Sequence, residues 1–250
     1  MRYLAHIAYR GSAFRGWQVQ PRQSTVQGTL EDALSTILHH KIEIVGCGRT
    51  DTGVHASNYY FHFDYPTEFP PAFRRRLNKY LPEDIAIYSV HPIQDDAHAR
   101  YDAVARAYQY HLSLRKVPLA KDTVWHFPFP MKLQPEQLNT TARIFGEFDE
   151  FFPFCKSKSD VRTYRCDLER SEWIRLDEFR LVYHVRADRF LRGMVRLLVG
   201  ACLNVARGEL TNAEIETALR QQVRLRKDWS VPAAGLRLAE VIYPEAIFRG

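Results

Sequence analysis

The chain has 250 residues, 46 % hydrophobic and 13 % aromatic, with a formal net charge of +6. That composition supports a sizeable core, argues against disorder, and points to an anionic partner, most simply nucleic acid. No apolar run approaches the ~20 residues that span a bilayer, and Met1–Tyr9 alternates like a strand rather than opening a signal peptide. Cys47, Cys155, Cys166 and Cys202 lack C-x-x-C spacing, so buried free thiols of a cytoplasmic protein are expected. The ten histidines form no H-E-x-x-H, and no metal site is visible.

Residues 2–9 predict a strand, and Gly11–Pro21 a loop carrying Phe14, Arg15, Gly16, Trp17 and Gln18. Ser24 and Gln27 fit a capping box before the helical repeat Val26, Leu30, Ala33, Leu34, Ile37, Leu38. A strand at 41–45 leads to the glycine loop Gly46–Ala56, and Ser57–Asp64 alternates as another strand. A basic helix with Phe73, Leu77 and Leu81 ends at Pro82, followed by a strand over Ile85–Val90. The second half opens near Arg100. It predicts a strand at Ala105–Leu114, a helix from Pro135 to Phe145, and strands at Cys166–Leu176 and Phe179–Asp188. An amphipathic helix is expected over Phe190–Val205, and Thr211 with Glu214 caps a helix to Gln222. A last strand covers Leu236–Ile242. Each half reads as strand, helix, strands, helix, strand. The fold class is therefore α+β, with two similar halves, 1–100 and 101–250. They are expected to share a central, mainly antiparallel sheet, with helices on one side and the active-site cleft on the other.

The chemistry concentrates in Gly46-Cys47-Gly48-Arg49-Thr50-Asp51-Thr52-Gly53-Val54-His55-Ala56. Asp-Thr-Gly alone is an ordinary turn. Here it follows a strand-like run and has Arg49 two residues away, which favours an ionised carboxylate able to act as nucleophile or base. The glycines fit neither G-x-G-x-x-G nor G-x-x-x-x-G-K-[ST], so no nucleotide loop is indicated. Arg189, Arg192 and Arg196 fall at i, i+3 and i+7, one face of the predicted helix. Such a cluster meets either solvent or phosphate. Arg74–Arg76, and Arg220, Arg224, Arg226 and Lys227, read more simply as surface. Tyr108 and Tyr110 share one face of their strand, as core or as a stacking surface for a base.

The chain resembles the TruA family of tRNA pseudouridine synthases nearly end to end. The resemblance rests on Ala8-Tyr9-Arg10-Gly11, Gly16-Trp17-Gln18, Thr25-Val26-Gln27, Leu30-Glu31 and Gly48–Ala56. It continues through Leu81-Pro82-Glu83-Asp84-Ile85, His98-Ala99-Arg100, Ala105–Tyr110, Phe190–Arg196 and Gly235-Leu236. Thr52 stands where alanine is usual, and Phe151–Cys166 matches less well. The resemblance implies that Asp51 is the nucleophile, that Tyr108 packs on the target uracil and helps remove the C5 proton, and that Arg196 pairs with Asp51. It implies that Arg49 extrudes the base or holds its phosphate. His55 in the same block, with Arg189 and Arg192, completes the candidate substrate contacts. The resemblance implies action on uridines 38, 39 and 40 of the tRNA anticodon stem-loop, as a homodimer and without a cofactor.

Two other readings compete. An aspartic protease would need a second carboxylate sharing a proton, and the chain has a single Asp-Thr-Gly beside an arginine that opposes such sharing. A catalytically silent RNA-binding module would use the same basic and aromatic residues, and Asp51→Ala separates it from an enzyme.

Overall fold

The computed structural model describes residues 1–156, 161–227 and 229–248. The chain divides into two compact units. One is Met1–Ala105 together with the segment from Arg237 onward, and the other is Arg106–Leu236. Each is a mostly antiparallel sheet with helices, as an α+β class requires.

In the first unit, β1 (Arg2–Tyr9) lies between β3 (His55–Asp64) and β4 (Ile85–Ile93), antiparallel to both. The two-residue β2 (Val45–Gly46) pairs with β3, leaving residues 41–44 outside the sheet. The chain's last strand, β9 (Leu236–Ile242), runs parallel to β3 with His55 opposite Arg237. Asn58 fixes that pairing by donating its amide to Ala239 O at 2.7 Å. Period-two alternation puts Tyr59, Phe61 and Phe63 on one face of β3, where all three are buried. Trp17 stacks on Tyr59 with ring centroids 4.1 Å apart, which ties the 10–17 loop to this core.

Helix α1 (Val26–Leu38) starts one residue later than the Ser24–Gln27 box implies. Thr25 is the N-cap, its hydroxyl accepting from Gly28 N–H. Gln27 is drawn elsewhere, donating to Glu31 and to Ile44 O. Helix α2 (Phe73–Tyr80) is held to edge strand β4 by Asn78, whose side chain both donates to and accepts from the Ile87 backbone at 2.8 Å.

In the second unit, β5 (Ala105–Ser113), β8 (Arg180–Ala187) and β7 (Leu168–Arg175) follow in antiparallel order, and the short β6 (Trp125–His126) adds in parallel to β5. Helix α3 (Pro135–Phe145) begins on its proline as expected, and Asn139 makes the same two-bond amide clamp, here to the Trp173 backbone of β7. Thr211 and Glu214 form the predicted capping box of α5 (Asn212–Gln221). Helix α4 (Met194–Ala206) is almost wholly buried but starts four residues later than the periodicity from Phe190 implies. Gly193 sits at φ +71°, a left-handed residue that ends the preceding turn.

Candidate active site

The Asp51 loop owes its shape to contacts made far along the chain. After β2, Val54 N–H donates to Asp51 O at 3.1 Å and closes a tight turn. Segment 9–17 then grips both sides of it. Trp17 N–H donates to Thr50 O at 3.1 Å, Tyr9 hydroxyl and Thr50 hydroxyl share a buried 2.8 Å hydrogen bond, and Gly11 N–H donates to His55 Nδ1 at 3.0 Å. Two glycines make the grip possible. A Cβ on Gly11 would lie 2.0 Å from Val54 O. One on Gly16, at φ +87°, would lie 2.6 Å from Thr50 O and 3.3 Å from the Asp51 carbonyl carbon. Only glycine admits a backbone at that distance.

Inside this cradle Asp51 is half-buried, Arg49 is exposed, and His55 is buried. The imidazole of His55 therefore acts on the loop, as an acceptor that locks Gly11. Gly46 likewise serves packing. A Cβ there would meet Tyr59 hydroxyl at 2.1 Å and the Trp17 ring at 2.7 Å, whereas the space around Gly48 is open. The Asp-Thr-Gly is thus a turn, and one whose backbone is immobilised from both sides.

The second unit carries the remaining candidates. Tyr110 is buried, its hydroxyl donating to Pro232 O at 2.8 Å, and burial pushes its phenol well above the ordinary range. Tyr108, on the same face of β5, is only half-buried and meets Phe190 edge-on at 5.1 Å. The shared face is thus core at one end and partly open at the other. Arg196 lies in the first turn of α4, with Nε–H donating to Val231 O at 2.6 Å and Val231 N–H returning a bond to Arg196 O at 3.3 Å. Arg189 and Arg192 precede the helix, so the three arginines do not form a helical stripe. The chain between them is set by Arg192 O accepting from Lys156 N–H at 3.0 Å and by the turn at Gly193. Arg192 is exposed and Arg189 half-buried.

The structure puts Arg49 and Asp51 in one loop of the first unit, with His55 opening β3 directly after it, and it places Tyr108, Arg189, Arg192 and Arg196 in the second. Sequence reasoning singled out none of Tyr9, Gly11, Gly16 and Thr50 as site-forming, although all four fall within motif stretches. Among the described residues no three His, Cys, Asp or Glu side chains converge as a metal site, and no helix is long and apolar enough to cross a membrane. All four cysteines are buried and free, and burial pushes the Cys166 and Cys202 thiols up to about 12, which removes them as nucleophiles.

A family model described as tRNA pseudouridine synthase matches residues 5–102 and 146–244. The chain belongs to the tRNA pseudouridine synthase family. It is thereby a tRNA-modifying isomerase. Relatives named tRNA pseudouridine synthase A extend the similarity to full length. The Bacteroides thetaiotaomicron protein is 40 % identical over 99 % of this chain and 92 % of its own length. The Bacteroides fragilis protein is 39 % identical over 99 % and 98 %, and the Bacillus licheniformis protein 33 % over 97 % and 99 %. The Asp51 loop falls in the first family match and the three arginines in the second. Tyr108 lies between the two matches, in a stretch that the full-length relatives cover. Phe151–Cys166, less similar by motif, lies within the second match, and its residues 157–160 are outside the described residues.

Proposed function

We propose that this chain converts uridine to pseudouridine at positions 38, 39 and 40 of the tRNA anticodon stem-loop, as a cytoplasmic homodimer, with Asp51 as nucleophile and no cofactor. The observation that carries the reading is the clamped Asp51 turn, a half-open carboxylate whose flanking backbone is fixed by Trp17, Tyr9 and Gly11. Isomerisation breaks the N1–C1′ bond, turns the uracil in place, and joins C5 to C1′. The C5 proton leaves and N1 gains one, so the net reaction needs no redox partner. A carboxylate held in one geometry suits a reaction whose barrier falls with positioning.

The other roles follow from this assignment. Tyr108, half-open beside Phe190, stacks on the uracil and assists loss of the C5 proton. Arg196 keeps Asp51 ionised. Exposed Arg49 and Arg192, with Arg189, hold phosphates and so make binding salt-dependent. His55 contributes through the loop it locks. The uridine must leave its stack to react, at a cost of a few kcal/mol. The test is incubation of the purified protein with unmodified tRNA transcripts and mapping of pseudouridine at nucleotide resolution. Pseudouridine at 38–40 with wild type and none with Asp51→Ala supports the reading. Modification by Asp51→Ala at the wild-type rate overturns the nucleophile, and RNA binding with no modification by either protein returns the silent RNA-binding module.

A further inference from the structure

The second unit has a cavity of about 370 Å³ that none of the catalytic assignments uses. Pro118, Val124 and Trp125 contribute apolar surface to its lining, and Lys116, Lys121 and His126 contribute nitrogen donors, with no carboxylate in the lining. Its volume is within the range of small-ligand pockets. Both lysines are exposed, while Val124, Trp125 and His126 are half-buried.

The cavity is built by local geometry. A 3-10 turn at Pro118–Ala120 lets Ala120 O accept from both Thr123 and Val124 N–H at 3.0 Å, which rolls the loop back toward the sheet. Trp125 and His126 then pair with Leu112 and Ser113 of β5, and Phe127 N–H donates to Ser113 O at 2.9 Å. The Trp125 ring packs edge-on against Phe127 at 5.7 Å and Tyr110 at 6.2 Å, so its orientation is fixed from two sides. A rigid indole with two flanking ammonium groups and no acid matches a ligand with a flat ring and a phosphate.

We propose that this cavity holds a nucleotide of the bound tRNA other than the target uridine, its base against Trp125 and its phosphate at Lys116 and Lys121. The proposal rests on the tRNA-modifying reading above and deepens it. Trp125 pairs beside Leu112, four residues from Tyr108 on the same strand, or about 13 Å at ~3.3 Å per residue. That spacing corresponds to a few nucleotides along an RNA strand. The loop carrying Lys116 to His126 lies between the two family-model matches.

The experiment compares wild type with the double variant Lys116→Glu/Lys121→Glu, both exposed positions, with circular dichroism as the folding control. The dissociation constant for an unmodified tRNA transcript is measured across a salt series. A second arm photo-crosslinks the same transcript carrying 4-thiouridine and maps the attached peptides. The expected result is about tenfold weaker binding at low salt, a salt slope smaller by about one to two units, and a crosslink on residues 115–126 that the variant loses. An unchanged slope and affinity, or crosslinks confined to other segments, overturns the proposal. Binding of free uridine monophosphate that the substitutions abolish, with tRNA affinity unaltered, also overturns it. Wild type that binds the transcript but forms no pseudouridine overturns the catalytic reading alone, because the salt slopes still decide the cavity.

Discussion

Substituting Gly16 by alanine tests whether the 9–17 segment sets the Asp51 loop. The new Cβ would stand 2.6 Å from Thr50 O, against ordinary contact from 3.4 Å, so the Thr50–Asp51 backbone must retreat by about 0.8 Å. The residue would also be held at φ +87°, a conformation that costs a non-glycine residue about 1–3 kcal/mol. The retreat would strain the Trp17 N–H to Thr50 O bond and the Tyr9–Thr50 hydroxyl pair, each contributing about 1 kcal/mol. A displacement near 1 Å at a reacting group can cost about 10²-fold in rate. The expected result is a fall of roughly 10- to 100-fold in single-turnover pseudouridine formation at saturating tRNA, with affinity for the transcript within about twofold of wild type. Stability should fall by about 1–3 kcal/mol, read by urea denaturation, and the rate is measured where the variant remains folded. Because Gly16 presents no side chain to RNA, a rate and stability both equal to wild type would refute the clamp.

Tyr9→Phe removes one partner of the buried Tyr9–Thr50 hydroxyl pair and should cost about 1–2 kcal/mol in urea denaturation, with a smaller rate loss than Gly16→Ala; no stability change would mean the pair is not part of the clamp. Asp51→Asn should keep tRNA affinity and abolish product in a single-turnover assay, and turnover within tenfold of wild type would remove the carboxylate from the chemistry. His62 is buried, accepts Ala99 N–H at Nδ1, and is lowered from 6.5 to about 4, mainly by burial and then by Arg2 and His98. The folded state therefore binds fewer protons there than the unfolded chain. The associated stability is full above pH 6.5 and lost as pH falls to 4, by up to about 3 kcal/mol. His62→Asn should flatten denaturation midpoints across that window, and an unaltered pH profile would contradict the assignment. A thiol reagent at pH 8 should label none of the four buried cysteines until denaturant is added, as measured by mass spectrometry.

The elements that sequence predicted well are those whose signals are local. Helix α1 announces itself by apolar spacing near 3.6 residues, and β3 and β5 by period two. Proline at the start of α3 and the Thr211–Glu214 box act within one turn, so their neighbours in sequence suffice to place them. The errors have a common origin. At α1, two adjacent hydroxyl residues compete for the cap, and Thr25 wins because Gln27 is occupied by Glu31 and Ile44. At α4, apolar periodicity extends back to Phe190, yet Lys156 N–H takes Arg192 O and the chain turns at Gly193 before the helix begins. The competing partner is 36 residues away in the one case that displaced Arg189 and Arg192 from a helical face.

The Asp51 loop shows the same division. Arg49, Asp51 and His55 lie close together in sequence, so type and spacing single them out as a group. What makes Asp51 a fixed group rather than the tip of an ordinary turn is supplied by residues about forty positions earlier. Glycine at 11 and 16 is visible in the sequence as permission for an unusual backbone, but the backbone that needs that permission is Thr50 to Val54. The same holds for His55. Its place beside Asp51 suggests a ligand contact, while its burial and its bond to Gly11 make it part of the clamp. A reading from residue types therefore singles out the Asp51 carboxylate but does not show which neighbours hold its loop. Groups that hold the loop and groups that would meet RNA look alike until burial separates them. Arg49 and His55, six residues apart, are separated by burial, the arginine exposed and the histidine buried. Arg49→Ala should then weaken tRNA affinity and reduce its salt slope by about one unit while leaving urea stability unchanged. His55→Ala, which orphans the Gly11 N–H in a buried site, should lower stability by about 1–3 kcal/mol with little change in that slope. If the two variants moved the same measurement, the separation of roles would be wrong.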